Sequence, residues 1–223
     1  MILWADDDLL IVNKPSDLRV IPDGYDPELP TLVRLLEPAW GRLFVVHRLD
    51  KDTSGVIIFA RNADSHRILN QQFAERQVNK TYWALIVGLP AWETKSIELP
   101  LRVNGDRSHR TVADYKEGKP ASTKAHVLIR FDSWALVEAC PHTGYTHQIR
   151  AHLSSVGHPL LGDTLYHYPP RWSGPRVDSA TLPVFPRSAL HALKVSFHHP
   201  VSSEILTFDA PLPDDFQDLL KLE

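Results

Sequence analysis

The chain has 223 residues, 43% of them hydrophobic and 23% charged, which suits an ordinary globular fold with one sizeable core. Its single cysteine, Cys140, excludes an internal disulfide and a cysteine cage for a metal, and no apolar run reaches the length of a membrane span. The net charge of −3 weighs against a general polyanion binder, although a local basic surface can hold phosphates on an acidic protein. The start lacks a basic stretch ahead of an apolar block, so no signal peptide is expected and the cytoplasm is the expected compartment.

In chain order, Leu9-Leu10-Ile11-Val12 reads as a strand broken by Asn13-Lys14-Pro15-Ser16-Asp17. A second loop is expected at Asp23-Gly24-Tyr25-Asp26-Pro27. Thr31 is placed as the N-cap of a helix that Pro38 should end. Leu43–Val46 and Val56–Ala60 read as buried strands. Asn62 or Asp64 should cap the next helix, which sets Ile68, Leu69, Gln72 and Phe73 on one face. Lys80–Gly88 alternates as a strand, with Tyr82, Ala84 and Ile86 on one side.

Residues 102–124 read as a projecting hairpin with turns at Asn104-Gly105 and Gly118-Lys119-Pro120. It carries Arg102, Arg107, His109, Arg110, Lys116, Lys119 and Lys124 against Asp106, Asp114 and Glu117. Ala125–Ile129 and Ser133–Ala139 are two further strands. Thr146 is expected to cap a helix running to about Val156, with Ile149, Leu153 and Val156 apolar and Arg150 and Ser154 on the polar side. Pro169–Pro186 should be irregular. Strands at Leu190–His198 and Glu204–Phe208 and a short helix at Phe216–Leu222 close the chain. Strands with intervening helices and weak βαβ alternation predict an α+β fold on a largely antiparallel or mixed sheet flanked by helices, in a single domain over 1–223.

The chemistry concentrates in His47-Arg48-Leu49-Asp50-Lys51-Asp52-Thr53-Ser54-Gly55, between two apolar runs. A bare connection there needs a few polar residues and a glycine; this one carries cations, two carboxylates and hydroxyls. It reads either as a charged turn or as a pocket holding Asp50 as a catalytic carboxylate. A metal site is not expected. His142, His147 and His152 are spaced by five, and five residues turn a helix by about 140°, so His147 and His152 cannot share a ligand face. No Gly-x-Ser-x-Gly nucleophile elbow is present, and no phosphate-binding glycine loop, so no nucleotide cofactor is expected. Asp50 needs a cation to stay ionised in a pocket, and Arg150 is either that partner or a surface arginine.

At these residues the chain resembles the RluA-type pseudouridine synthases, which isomerise uridine in ribosomal or transfer RNA. His47-Arg48-Leu49-Asp50 with Thr53-Ser54-Gly55 is similar to the family's catalytic signature. Asn13-Lys14-Pro15, Lys80-Thr81-Tyr82, Gly118–Thr123, Thr146–Leu153, Gly157-His158-Pro159 through Gly162-Asp163, and Leu190-His191-Ala192 follow in the family's order. The resemblance implies that Asp50 is the catalytic aspartate, adding to the sugar C1′ or taking the 2′ proton. It implies that Arg150 pairs with Asp50 and helps hold the base out, and that Tyr82 stacks on the flipped uracil. His47, Arg48, Lys80, Lys119, Tyr145 and His147 are the implied RNA contacts.

The implied enzyme is an isomerase needing no cofactor or metal, a monomer with RNA as partner and no membrane. Breaking a glycosidic bond develops positive charge at C1′, which an ionised carboxylate stabilises, and the base must leave its stack. Two positions depart from the family: Asp17 stands where glycine is usual, and Tyr145 where arginine is usual. Aspartate tolerates a left-handed turn, and tyrosine can stack on a base. The small N-terminal RNA-binding domain of many relatives is not expected, which leaves target selection to the 102–124 hairpin. Two other classes fit less well. A non-catalytic RNA-binding module has no use for Asp50 among phosphates, and a glycosidase needs a second carboxylate, for which Asp52 is nearest.

Overall fold

The computed structural model describes residues 1–22, 28–167 and 176–221. In chain order the elements are β1 (Ile2–Ala5), β2 (Leu9–Lys14), α1 (Leu32–Trp40), β3 (Phe44–Val45), β4 (Ser54–Ala60), α2 (Ala63–Ala74) and β5 (Asn79–Val87). Then follow β6 (Thr94–Ile97), β7 (Leu101–Arg102), β8 (Val112–Ala113), β9 (Thr123–Arg130), β10 (Trp134–Pro141) and α3 (Gln148–Ser155). A 3-10 turn (Ser179–Thr181), β11 (Leu190–His198), β12 (Ile205–Asp209) and α4 (Asp214–Lys221) complete the chain. Among the described strand pairings, β4 and β11 run parallel and β1–β2, β2–β4, β3–β4, β5–β10, β9–β10, β6–β9, β7–β8 and β11–β12 antiparallel, which bears out the α+β reading on a mixed, mostly antiparallel sheet. The loop expected at 23–27 and residues 169–175 of the stretch expected to be irregular lie outside the described residues, and the remainder of that stretch holds only the short 3-10 turn.

The chain forms two compact units, Met1–Lys80 with His191–Pro213 and Thr81–Leu190 with Asp214–Glu223. In the first, β1, β2, β4 and β11 pair in that order, with β3 beside one end of β4 and β12 beside β11. Leu9–Val12 and Ile57–Ala60 are fully buried, as unbroken apolar runs require when both sheet faces are covered. Of the expected strand at 43–46 only Phe44–Val45 pairs, and both residues are half-buried. Thr31 caps α1 by accepting from the Arg34 N–H, and Asn62 caps α2 by accepting from Ser65. Pro38, expected to end α1, lies inside it. The helix closes at Gly41, whose φ of 71° lets its N–H reach the Glu37 carbonyl.

In the second unit β5, β10, β9 and β6 pair antiparallel in that order, and the inner face is lined by Ala84, Ile86, Ala125, Val127, Ala135 and Val137. Ile149 and Leu153 of α3 join that cluster. Strand β9 alternates cleanly, with Thr123, Ala125 and Val127 in and Lys124, His126 and Leu128 out. Helix α3 departs from expectation in two ways. Its N-cap is His147, in the left-handed region at φ 55°, rather than Thr146, because the Thr146 carbonyl is taken by the Thr111 hydroxyl. Its polar side is not solvated: every residue from Gln148 to Ser154 is buried, since each polar side chain there has a partner.

Candidate functional site

The His47–Gly55 segment is tied down at four points within its own unit. The Ile58 N–H donates to His47 Nε2 at 3.0 Å, and the ring stacks on Phe73 with centroids 4.9 Å apart. An accepting Nε2 places the ring proton on Nδ1, so His47 is neutral. Burial, with a smaller contribution from the Lys80 charge, depresses its pKa to about 3. Burial also lowers Lys80 from its ordinary range.

The second tether is Lys14. Its side chain is fully buried, and its ammonium donates to the carbonyls of Pro15 at 2.8 Å, Leu18 at 2.7 Å and Lys51 at 3.0 Å. A buried ammonium costs several kcal/mol to desolvate, roughly, so these carbonyls compensate it while locking the residue after Asp50 onto the Asn13-Lys14-Pro15 turn. Asp17 closes that turn at φ 59°, the left-handed geometry usually given to glycine, and pairs with Lys51 at 2.7 Å.

The third and fourth tethers hold the far end of the segment. Ser54 Oγ lies 2.9 Å from His191 Nδ1, with both residues buried. Gly55 sits at φ 115°, and a Cβ there would fall 2.2 Å from the Ala192 carbonyl oxygen. Only glycine lets β4 approach β11 this closely. Between the tethers Leu49 and Thr53 are buried, Arg48 is exposed and Asp50 is half-buried, its carbonyl accepting from the Thr53 N–H. The charged stretch is a braced loop presenting Asp50, not a solvated turn.

In the second unit Arg150 is buried, which settles its reading as a surface arginine in the negative. Its Nε and Nη2 donate to the two carboxylate oxygens of Asp163 at 2.7 and 2.9 Å. Burial works against the Asp163 charge, but the Arg150 guanidinium and the N–H groups of Tyr166 and Leu165 outweigh it and hold the carboxyl below its usual range. Arg150 also lies over the Tyr166 ring, 5.0 Å from its centroid. The Tyr166 hydroxyl accepts from the Thr111 N–H and lies 3.2 Å from His147 Nδ1; burial pushes its pKa up to about 12.

Tyr145 packs on the Leu101, Ala121, Ala151 and Tyr166 cluster. Lys119 is exposed on the hairpin, and Tyr82 projects from β5 against the inner cluster. His47, Arg48, Asp50 and Lys80 thus belong to one unit, and Tyr82, Lys119, Tyr145, His147 and Arg150 to the other. Lys14, Ser54, His191, Asp163 and Tyr166 were not nominated from sequence as site residues. Their signal was present, since all but Tyr166 lie in the quoted motif blocks, and a buried arginine demands a carboxylate.

Among the described residues Asp6, Asp8 and His199 could gather round a metal ion, their ligand atoms within 4.8 Å of one another. Five hydrogen-bonding side-chain atoms of the trio, both Asp6 oxygens, Asp8 Oδ1 and both His199 nitrogens, are already engaged. Asp6 accepts from the Asp8 and Leu9 N–H groups and from His199 Nε2. Asp8 accepts from Asn62 and Ser65, and His199 Nδ1 accepts from Val201 and Ser202. The trio is a hydrogen-bond knot binding β1, α2 and the end of β11.

Residues 8–155 match the family described as RNA pseudouridylate synthase. The chain is 34% identical over 231 residues to ribosomal large subunit pseudouridine synthase D of Zymomonas mobilis, across 99% of this chain and 72% of that one. It is 36% identical to the like-named protein of Neisseria meningitidis serogroup A, of which it spans 60%. It is 35% identical over 211 residues to the dual-specificity RNA pseudouridine synthase RluA of Pasteurella multocida, across 94% and 92% of the two chains. Among solved structures, human RNA pseudouridylate synthase domain containing 4 superposes with a TM-score of 0.77 and 29% identity, over 99% of this chain and 91% of that one.

Proposed function

We propose, from the premise that this chain belongs to the RNA pseudouridylate synthase family, that Asp50 is the carboxylate through which it isomerises uridine to pseudouridine in RNA. The family makes the protein an isomerase acting on RNA. Its substrate, in this reading, is ribosomal RNA, with transfer RNA as the second pool to test; relatives named for the ribosomal large subunit support the first, and a relative named for dual specificity supports testing more than one RNA.

The observation that carries the assignment to Asp50 is the bracing of its loop. A plain connection between strands can be built without a buried lysine, a buried serine–histidine bond or a glycine that admits no side chain. A group that must meet a sugar carbon to within a fraction of an ångström gains a great deal from them. The reaction breaks N1–C1′, turns the base, joins C5 to C1′ and releases the C5 proton to solvent. Positive charge develops at C1′ as the first bond breaks, and an ionised Asp50 stabilises or captures it. Arg150, its guanidinium plane fixed by Asp163, holds the displaced base, and Tyr82 stacks on it. His47, Arg48, Lys80, Lys119, Tyr145 and His147 support the RNA around it, with His47 acting through the loop it braces. The chain works as a single catalytic domain and a monomer, in the cytoplasm and without a metal. Among the described residues no helix is long and apolar enough to cross a membrane.

The test uses ribosomal and transfer RNA carrying tritium at uridine C5. Wild-type protein is expected to release tritium, and Asp50→Asn to release none while still binding the RNA. Full release by the purified Asp50→Asn protein would remove Asp50 from the chemistry.

A further inference from the structure

We propose that the hairpin of residues 101–119 is a preformed platform for an unpaired nucleotide of the RNA substrate, with Tyr115 as the stacking surface and Arg107, Lys116 and Lys119 as the phosphate contacts. The proposal rests on the RNA reading above and names where, beyond the reacting uridine, the RNA is gripped.

The two aspartates at the bends of the hairpin are internal struts. Asp106 Oδ1 accepts from the Ser108 and Arg110 N–H groups, and its Oδ2 from Arg110 Nε at 2.7 Å. Asp114 repeats the arrangement: Oδ1 accepts from Lys116 and Glu117, and Oδ2 from Arg102 Nε at 2.8 Å. Two carboxylates and two arginines of the sequence are thereby spent inside the hairpin. Glu117 lies 3.6 Å from Arg102. What remains outward is mainly positive: Glu117 is exposed but leans on Arg102, whereas Arg107, Lys116 and Lys119 are exposed, and among the described residues none of these three has a carboxylate within ion-pair distance.

The hairpin is also rigid and anchored. Thr111 is buried, its N–H given to the Tyr166 hydroxyl and its own hydroxyl to the Thr146 carbonyl. Arg110 reaches the Leu165 carbonyl, and Leu101 and Lys119 exchange two backbone bonds at 2.9 Å. Gly118 closes the second bend, where a Cβ would lie 2.2 Å from the Asp114 carbonyl oxygen. On this fixed bend Tyr115 stands 77% exposed, next to Lys116. One exposed aromatic alone is unremarkable. An aromatic on a rigid turn amid unpaired cations has the composition of a single-strand grip: bases stack on the ring while cations meet the backbone. The turn's rigidity means little ordering entropy is lost on binding.

The test measures fluorescence anisotropy of a labelled, mixed-sequence single-stranded RNA 20-mer on full-length Asp50→Asn protein, so that no turnover intervenes. Tyr115→Ala is expected to raise Kd by about tenfold, Tyr115→Phe to stay within about twofold, and Tyr115→Leu to behave as alanine. Replacing Arg107, Lys116 and Lys119 together by glutamine should lower the slope of log Kd against log salt by about 2, at roughly 0.7 per phosphate contact. Unchanged binding by Tyr115→Ala, or leucine serving as well as phenylalanine, overturns the stacking role; an unchanged slope overturns the phosphate role. These readouts are independent of catalysis. If wild type releases no tritium yet Tyr115→Ala weakens binding, the platform stands and the isomerase reading falls. If tritium is released and Tyr115→Ala binds as its parent, the reverse holds.

Discussion

Ser54 and His191, 137 positions apart in sequence, share a buried hydrogen bond of 2.9 Å. The other ring nitrogen of His191 faces the Ala210 carbonyl at 3.2 Å, which can only accept, so Nε2 carries the proton and Nδ1 receives the Ser54 hydroxyl. The bond joins the first residue of β4, four past Asp50, to β11 at the parallel pair His191–Ser54. Ser54→Ala leaves a buried Nδ1 without its donor and should cost about 1–3 kcal/mol, read from urea unfolding. If the bond also sets the loop, Ser54→Ala lowers kcat for tritium release more than it raises KM, and Ser54→Thr restores it. A variant with lost stability but unchanged kcat would confine the bond to folding.

Lys14 makes a second prediction. Lys14→Met keeps the buried stem but strands the carbonyls of Pro15, Leu18 and Lys51. The expected cost is about 3 kcal/mol, since hydrogen bonds to a charged group are worth about 1.5–3 kcal/mol each and the part-buried carbonyls recover only some of that from water. Lys14→Arg should not rescue, because a planar fork cannot point at three carbonyls converging on one atom. Equal melting temperatures for Lys14→Met and wild type would contradict this account.

His47 predicts an acid effect of definite sign. Its folded pKa of about 3 lies below the ordinary histidine value of 6.5. The unfolded chain therefore binds the proton first, and the stability due to neutral His47 is complete above about pH 6.5. It is lost progressively as pH falls toward 3, at up to about 1.4 kcal/mol per pH unit. Protonation also opposes the bond from the Ile58 N–H that holds the loop. Unfolding free energies measured from pH 7 to 4 should fall more steeply for wild type than for His47→Gln, which cannot take up the proton.

Much of this was legible in the sequence, and the reasons differ from element to element. Strands β2 and β4 announce themselves because continuous burial of Leu9–Val12 and Val56–Ala60 leaves no room there for polar residues. Helix caps at Thr31 and Asn62 are local chemistry, and Asp17 could be placed in a left-handed turn because its side chain is short and polar. Pro38 misled because a proline forbids one hydrogen bond, not the turn that contains it. Strand β1 and the four-residue β6 escaped notice because short segments carry little periodicity. The polarity of α3 was the deeper failure. Arg150 and Ser154 look solvated on a helical wheel, and only partners distant in sequence, Asp163 and the His167 carbonyl, make their burial affordable. The family motifs named Asp50 and Arg150, but the residues that fix them in place were visible only as motif letters without roles.

The Arg150–Asp163 pair yields the last prediction. Breaking a buried pair from one side strands a charge, whereas replacing both partners by apolar groups of similar volume is often close to neutral. Asp163→Asn should therefore destabilise the protein by about 3 kcal/mol, and Arg150→Met combined with Asp163→Leu should recover most of that loss. The depressed Asp163 carboxyl adds an acid signature. Its stabilisation is present above the ordinary carboxylate pKa of about 3.9 and disappears as pH falls through its lower folded value, so the acid limb below about pH 4 should be shallower in Asp163→Asn. Stability and turnover then part company. The double variant folds but lacks the guanidinium, and should release no tritium from RNA. Asp163→Asn keeps the guanidinium but loosens its plane, and should retain a reduced kcat. A double variant as unstable as Asp163→Asn would show that the helix depends on this ion pair for more than charge balance, and that its packing, not its pairing, sets where Arg150 stands.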